Sequence, residues 1–204
     1  MIENIIFDLG DVFIDLNHHK FQKALQYLGL KDITSNMTGF NQRYEKGLVS
    51  TEEFKAYYKD ILKKGGFTDE QLERSWVSIL GDFPLDRLLF LENIPVKYNL
   101  YLLSNTNEMH INYVKNHYGK EFYKRFLNCF DKIYYSHEIN MRKPDEESFQ
   151  LILKENELSP MATLFVDDTL ENIVTANKLG IKTWHIEPDK EDVSELFDRK
   201  KELF

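Results

Sequence analysis

Cysteine is almost missing from this 204-residue chain: Cys129 stands alone. No intrachain disulfide can form, which fits a reducing compartment. Basic charge is also in short supply. Lys and Arg number 26 against 34 Asp and Glu, giving a net charge of −8. That balance excludes a general attraction to nucleic acid or to an anionic membrane. An anionic substrate must therefore meet a local positive site that overcomes the overall field. Long apolar runs are absent, and nothing approaches the ~20 residues that span a bilayer. The opening Met1-Ile2-Glu3-Asn4 carries no basic region and meets an acid after two residues. No secretion signal is read there, and a cytoplasmic location is expected.

What is present suits a packed core. Hydrophobic residues make up 42% and charged residues 29%, with 15 Phe and 11 Tyr, a balance that argues against disorder. Ile5-Ile6-Phe7 is a short apolar run ending at Asp8-Leu9-Gly10, the pattern of a buried strand. Asn99 to Leu103, Lys132 to Ser136, Thr163 to Val166 and Lys182 to Ile186 read the same way. Helical spacing covers Leu85 to Glu92, Glu108 to His117, Glu146 to Lys154 and Glu171 to Leu179. The alternation predicts an α/β fold, a three-layer, doubly wound, Rossmann-like parallel sheet. Polar clusters fall just past the strand ends, the edge where open α/β sheets bind ligands.

Residues 17–84 break the alternation and read as all-helical, so an inserted α-helical subdomain is expected there. Residues 1–16 and 85–204 would form the core. Ser50 with Glu53, and Thr68 with Gln71, make capping boxes. Between them Phe54, Tyr57 and Tyr58 share a helix that Lys63-Lys64-Gly65-Gly66 should end. Residues 191–204 are expected to form one terminal helix with Val193, Leu196 and Phe197 inward.

Four strand ends carry the chemistry. Asp8 follows the first strand. Ser104-Asn105 follows the second, ahead of a helix start whose N–H groups can hold a phosphate. Arg142-Lys143-Pro144 precedes a later helix. Asp167-Asp168 ends a buried strand, and two adjacent carboxylates repel unless a cation relieves them. Each also has an ordinary explanation as a turn, a cap or a solvated charge.

Together, Ile5-Ile6-Phe7-Asp8-Leu9-Gly10-Asp11-Val12, Leu102-Leu103-Ser104-Asn105, Met141-Arg142-Lys143-Pro144-Asp145 and Phe165-Val166-Asp167-Asp168 resemble the haloacid dehalogenase superfamily. The resemblance covers nearly the whole chain and keeps the motif order. Asp8-Leu9-Gly10, Ser104-Asn105-Thr106-Asn107, Met141-Arg142-Lys143-Pro144 and Tyr44-Glu45-Lys46-Gly47 are most similar to a bacterial branch that includes sugar-1-phosphate phosphatases.

The resemblance implies an Mg²⁺-dependent phosphatase acting on a small phosphoester, with no nucleic-acid or membrane partner. Asp8 would be the nucleophile of an aspartyl-phosphate mechanism. Mg²⁺ would be held by Asp8, the Gly10 carbonyl and Asp168, with Asp167 behind them. Lys143 and Ser104 would act in catalysis and, with Asn105, bind phosphate. The helical insertion would be a cap, with His18, His19, Arg43, Tyr44 and Glu45 as candidate substrate contacts.

One position departs from the family pattern. Most relatives place a second Asp, a general acid/base, two residues after the nucleophile, and here that position is Gly10. Asp11 is the candidate substitute, unless the substrate has a good leaving group, as the anomeric oxygen of a sugar 1-phosphate would be. Hydrolytic dehalogenases, which work without metal, share the gap. A non-catalytic binding protein and a phosphotransferase also remain open.

Overall fold

Five short strands, each built mainly from Ile, Leu, Val and aromatic residues, lie side by side in one parallel sheet. The computed structural model describes residues 1–30, 32–62 and 66–204. The order along the chain is β1 (Asn4–Phe7), α1 (His18–Tyr27), α2 (Ser35–Glu45), α3 (Thr51–Ile61), α4 (Asp69–Trp76) and α5 (Leu85–Glu92). Then come β2 (Asn99–Ser104), α6 (Glu108–His117), α7 (Lys120–Leu127), β3 (Lys132–Tyr135), α8 (Ser136–Ile139) and α9 (Glu146–Glu155). The chain closes with β4 (Thr163–Asp167), α10 (Leu170–Lys178), β5 (Lys182–His185) and α11 (Leu196–Arg199).

The sheet order is β3-β2-β1-β4-β5. The chain runs outward from β1 through β2 to β3 and then crosses back to β4 on the other side of β1, so the topological switch point, where such sheets bind ligands, lies beside β1. Strand side chains alternate between faces. Ile5, Phe7, Leu102 and Val166 therefore pack with Leu88, Val114 and Phe126 from α5, α6 and α7. Ile6, Leu103 and Phe165 pack with Phe149 and Ile152 of α9 and Ile173 of α10. These are the three layers expected from the alternation.

α1 to α4 gather around a separate aromatic cluster of Tyr44, Phe54, Tyr58 and Trp76, which Met109 of α6 joins. The Tyr44 and Phe54 rings lie 4.3 Å apart. Both capping boxes form, Ser50 with Glu53 and Thr68 with Gln71. α3 ends at Ile61; the Lys63-Lys64-Gly65 stop lies outside the described residues. The two connections to the sheet run antiparallel. Leu16 bridges Leu80, Asp15 N donates to Asp82 O at 2.9 Å and Gly81 N to Asp15 O at 2.7 Å. A Cβ at Gly81 would lie 2.8 Å from Asp15 O, so the close approach needs glycine.

Two regions differ from the sequence expectation. α7, with Phe126 buried, had no strong local start signal, because Gly119 precedes it at φ 86 without a side-chain cap. The C-terminal segment is not one helix but two 3₁₀ turns flanking the four-residue α11. Tertiary contacts bend it: Phe197 and Phe204 both pack on Tyr98, and Ile2 N donates to Leu203 O at 3.2 Å.

Candidate active site

Parallel register brings the acids together. Phe7 is level with Val166, so the next residues, Asp8 and Asp167, leave the sheet side by side at its C-terminal edge. Asp8 N donates to Val166 O at 2.9 Å, fixing that exit. Lys143 enters from the loop between α8 and α9. Its Nζ lies 2.7 Å from Asp8 Oδ1 and 2.6 Å from Asp167 Oδ2. This lysine is only 1% exposed, which a long cationic side chain tolerates only when paired. Burial opposes its charge, but Asp167 and Asp8 outweigh that and hold the ammonium above its ordinary range.

Asp167 is fully buried and saturated. Its Oδ1 accepts from Thr169 N at 2.8 Å, and both oxygens accept from Asn172 Nδ2 at 3.0 Å. Asn172 sits in the first turn of α10, where the helix path aims it back at the strand end. Asp168 is more open. Its backbone oxygen lies 2.7 Å from His185 Nε2. Burial first, then repulsion from Asp167 and Asp11, pushes the Asp168 carboxyl up to about 6. Burial likewise raises Asp8, with Lys143 pulling it back and Asp167 pushing it further up.

Among the described residues, Asp8, Asp167 and Asp168 form the one acidic group able to hold a metal ion, their oxygens within 4.8 Å of one another. Three carboxylates facing one ammonium leave two negative charges uncompensated. A divalent cation fits that deficit in charge and in its all-oxygen donor set.

Ser104 ends β2 at the same edge and is 3% exposed. The helix start expected beside it works differently. α6 begins three residues beyond Asn105, capped by Asn107, whose side chain accepts from His110 N. Thr106 N already donates to Ser136 Oγ at 2.9 Å. The Asn105 side chain is taken up by the neighbouring loop. It spans to Lys143, donating to its carbonyl at 2.8 Å and accepting from its N–H at 2.9 Å.

The Gly10 departure has a steric partner. A Cβ at Gly10 would lie 2.9 Å from Leu16 Cδ1. The left-handed residue of this turn is Asp11, at φ 51. Asp11 Oδ1 accepts from Leu16 N at 2.7 Å, and its other oxygen lies 3.9 Å from His18 Nε2. Burial raises its carboxyl above the ordinary range.

The residues expected to touch substrate from the helical insertion go to different places. Tyr44 is buried in the aromatic cluster, its hydroxyl 2.9 Å from Thr51 Oγ1. Arg43 and His19 are exposed. Glu45 ion-pairs with Arg142 at 3.0 Å, beside Lys143.

A family profile described as haloacid dehalogenase-like hydrolase matches residues 116–186. The chain is 31% identical to D-ribitol-5-phosphate phosphatase of Bacteroides thetaiotaomicron over 92% of its length and 93% of that protein's. It belongs to the haloacid dehalogenase-like hydrolases. A family enzyme from the same organism, solved with magnesium and inorganic phosphate, superposes with a TM-score of 0.81 at 32% identity, covering 97% of this chain and 100% of that one. A haloacid dehalogenase-like hydrolase of Porphyromonas gingivalis gives a TM-score of 0.84 at 29% identity, covering 98% and 97%. In this hydrolase no helix among the described residues is long and apolar enough to cross a membrane. The hydrolase adds two contacts that the sequence left unseen, the Asn105 anchor and the Glu45–Arg142 pair. A motif reading could find Asn105 but not its partner.

Proposed function

We propose that this hydrolase is an Mg²⁺-dependent phosphatase of small phosphorylated sugars or sugar alcohols, working through an aspartyl-phosphate on Asp8. The observation that carries this is Lys143, buried between Asp8 and Asp167 at the sheet's switch point. That ammonium favours ionised Asp8 and offers positive charge to an incoming phosphoester. Asp8 attacks phosphorus in line, a new O–P bond forms, and the ester oxygen leaves with its electron pair. Water then attacks the aspartyl-phosphate, releasing inorganic phosphate and restoring Asp8. Ser104 holds phosphoryl oxygens at the end of β2. Asp8, the Gly10 carbonyl and Asp168 would hold Mg²⁺, which when bound neutralises phosphoryl charge. Asp167 fixes Lys143 and stands behind that cluster.

Residues 17–84 act as the cap that shields this centre from water, over a core of residues 1–16 and 85–204. Support comes from their separate aromatic cluster and from the antiparallel linkers at Leu16 and Leu80. The leaving oxygen has two routes: Asp11 supplies its proton, or an acidic leaving group departs without one. The Bacteroides relative is named for a primary phosphate ester, so both ester types belong in the test.

The deciding experiment is phosphate release from ribitol 5-phosphate, glucose 1-phosphate and glucose 6-phosphate, with Mg²⁺ and with chelator. Asp8→Asn serves as the blank. Release that needs Mg²⁺ and Asp8 is expected. Equal release by Asp8→Asn, or full activity in chelator, overturns the mechanism. A clear preference for the 6-phosphate over the 1-phosphate removes the leaving-group explanation and leaves Asp11.

A further inference from the structure

Three consecutive cap residues grip the loop that carries Lys143. Glu45 Oε2 lies 3.0 Å from Arg142 Nε. Lys46 Nζ lies 2.6 Å from Asp145 Oδ2, and Asn140 Nδ2 donates to Lys46 O at 2.7 Å. Gly47 follows at φ 65, so close that a Cβ there would lie 2.1 Å from His137 O. The charges read minus then plus on the cap and plus then minus on the core loop. They bracket Lys143 from both sides in sequence. A slip that exchanged the partners would set Glu45 against Asp145 and Lys46 against Arg142. Like charges would then meet at both points, so one register is specified. Asn105, one residue past β2, also holds the Lys143 backbone. The loop is therefore fixed between β2 and the cap.

We propose that Glu45 and Lys46 are positioning residues for Lys143: their paired contacts with Arg142 and Asp145 make the cap set where the Lys143 ammonium sits. Neither residue touches the reacting atoms. This role rests on Asp8 and Lys143 forming the phosphatase centre. It adds that the cap does more than exclude water, because loss of its grip releases the loop on which Lys143 stands.

The test is a charge exchange on the full-length protein. Glu45→Lys with Lys46→Glu places like charges at both contacts. It should lower kcat at least tenfold while KM changes less than threefold. It should also weaken inorganic phosphate binding in Mg²⁺, read by calorimetry, by about tenfold. Adding Arg142→Glu with Asp145→Lys restores opposite charges and should recover most of both losses. If the fourfold variant does not fold, Glu45→Gln with Lys46→Gln decides: the same split between kcat and KM is expected. Wild-type kcat in either cap variant overturns the positioning role. So does a loss confined to KM, or one that the fourfold exchange fails to recover in a folded protein, since Glu45 would then be contacting substrate. Failure of the wild type to bind phosphate or release it from any ester sinks the phosphatase assignment instead.

Discussion

The Asn105 side chain and the Lys143 backbone, 38 residues apart in sequence, form two reciprocal hydrogen bonds of 2.8 and 2.9 Å. An amide that donates to a residue's carbonyl and accepts from the same residue's N–H fixes both its position and its orientation. The Lys143 ammonium, proposed to act in catalysis, thus stands on a base held by the neighbouring strand end.

Asn105→Ala removes both bonds and leaves part-buried backbone groups unpaired. Activity should fall roughly 10–100-fold, because misplacing a catalytic group by about 1 Å has that effect. Stability should fall by about 1–3 kcal/mol. Steady-state kinetics with urea unfolding checks both. Asn105→Asp keeps only the accepting half and should fall between.

Lys143→Met takes the one cation from between two buried carboxylates. Breaking a buried pair this way costs about 3–5 kcal/mol, and turnover should drop on the order of 10³-fold. A folded variant with more than a tenth of wild-type turnover would remove Lys143 from the mechanism.

Mg²⁺ should stabilise the folded chain in thermal melts. At a hundred times Kd the gain is about 2.7 kcal/mol. Asp168→Asn lowers the site's negative charge and should abolish most of that shift, while the melt in chelator changes little or rises. An unchanged Mg²⁺ shift in this variant would place the ion elsewhere.

Gly10→Asp would restore the carboxyl that most of the family carries, but its Cβ meets Leu16 Cδ1 at 2.9 Å. The single variant should lose about 1–2 kcal/mol from overpacking. Gly10→Asp with Leu16→Ala makes room and should raise turnover of a poor-leaving-group ester such as glucose 6-phosphate by at least tenfold. Asp11→Asn in the wild-type background is the complement: unchanged turnover excludes Asp11 as the proton source.

His110 gives stability a pH dependence. Burial lowers its imidazole from 6.5 to about 4, with His137 adding to the drop and the Trp76 carbonyl opposing it. Its Nε2 lies 3.3 Å from Trp76 O, and Nδ1 lies 3.2 Å from Asn107 Nδ2. The folded state therefore binds fewer protons than the unfolded state between pH 4 and 6.5. Stability rises with pH through that window and levels off above it. The contribution is on the order of 2 kcal/mol after solvent screening. Asp8 and Asp168, raised by burial, act with the opposite sign in the same window, so the check is the comparison: between pH 4.5 and pH 7, wild-type stability should gain more, or lose less, than that of His110→Gln.

Local spacing alone determined much of this protein. Apolar runs ending in Asp8, Ser104 and Asp167 marked where strands stop and chemistry starts. Ser50 with Glu53 and Thr68 with Gln71 marked helix starts, since a cap needs only residues three apart. Those signals are legible because each is settled within a few residues of backbone. Tertiary structure decided the rest. Glu45 meets Arg142 across 97 residues, and Lys46 meets Asp145 across 99. Tyr44, adjacent to Glu45 in sequence, instead turns into the aromatic cluster. Helix rotation sends neighbours to different faces, and strand order and register select which distant loops meet. The C-terminal segment bends for the same reason, because contacts with Tyr98 outweigh the helical preference of a short run.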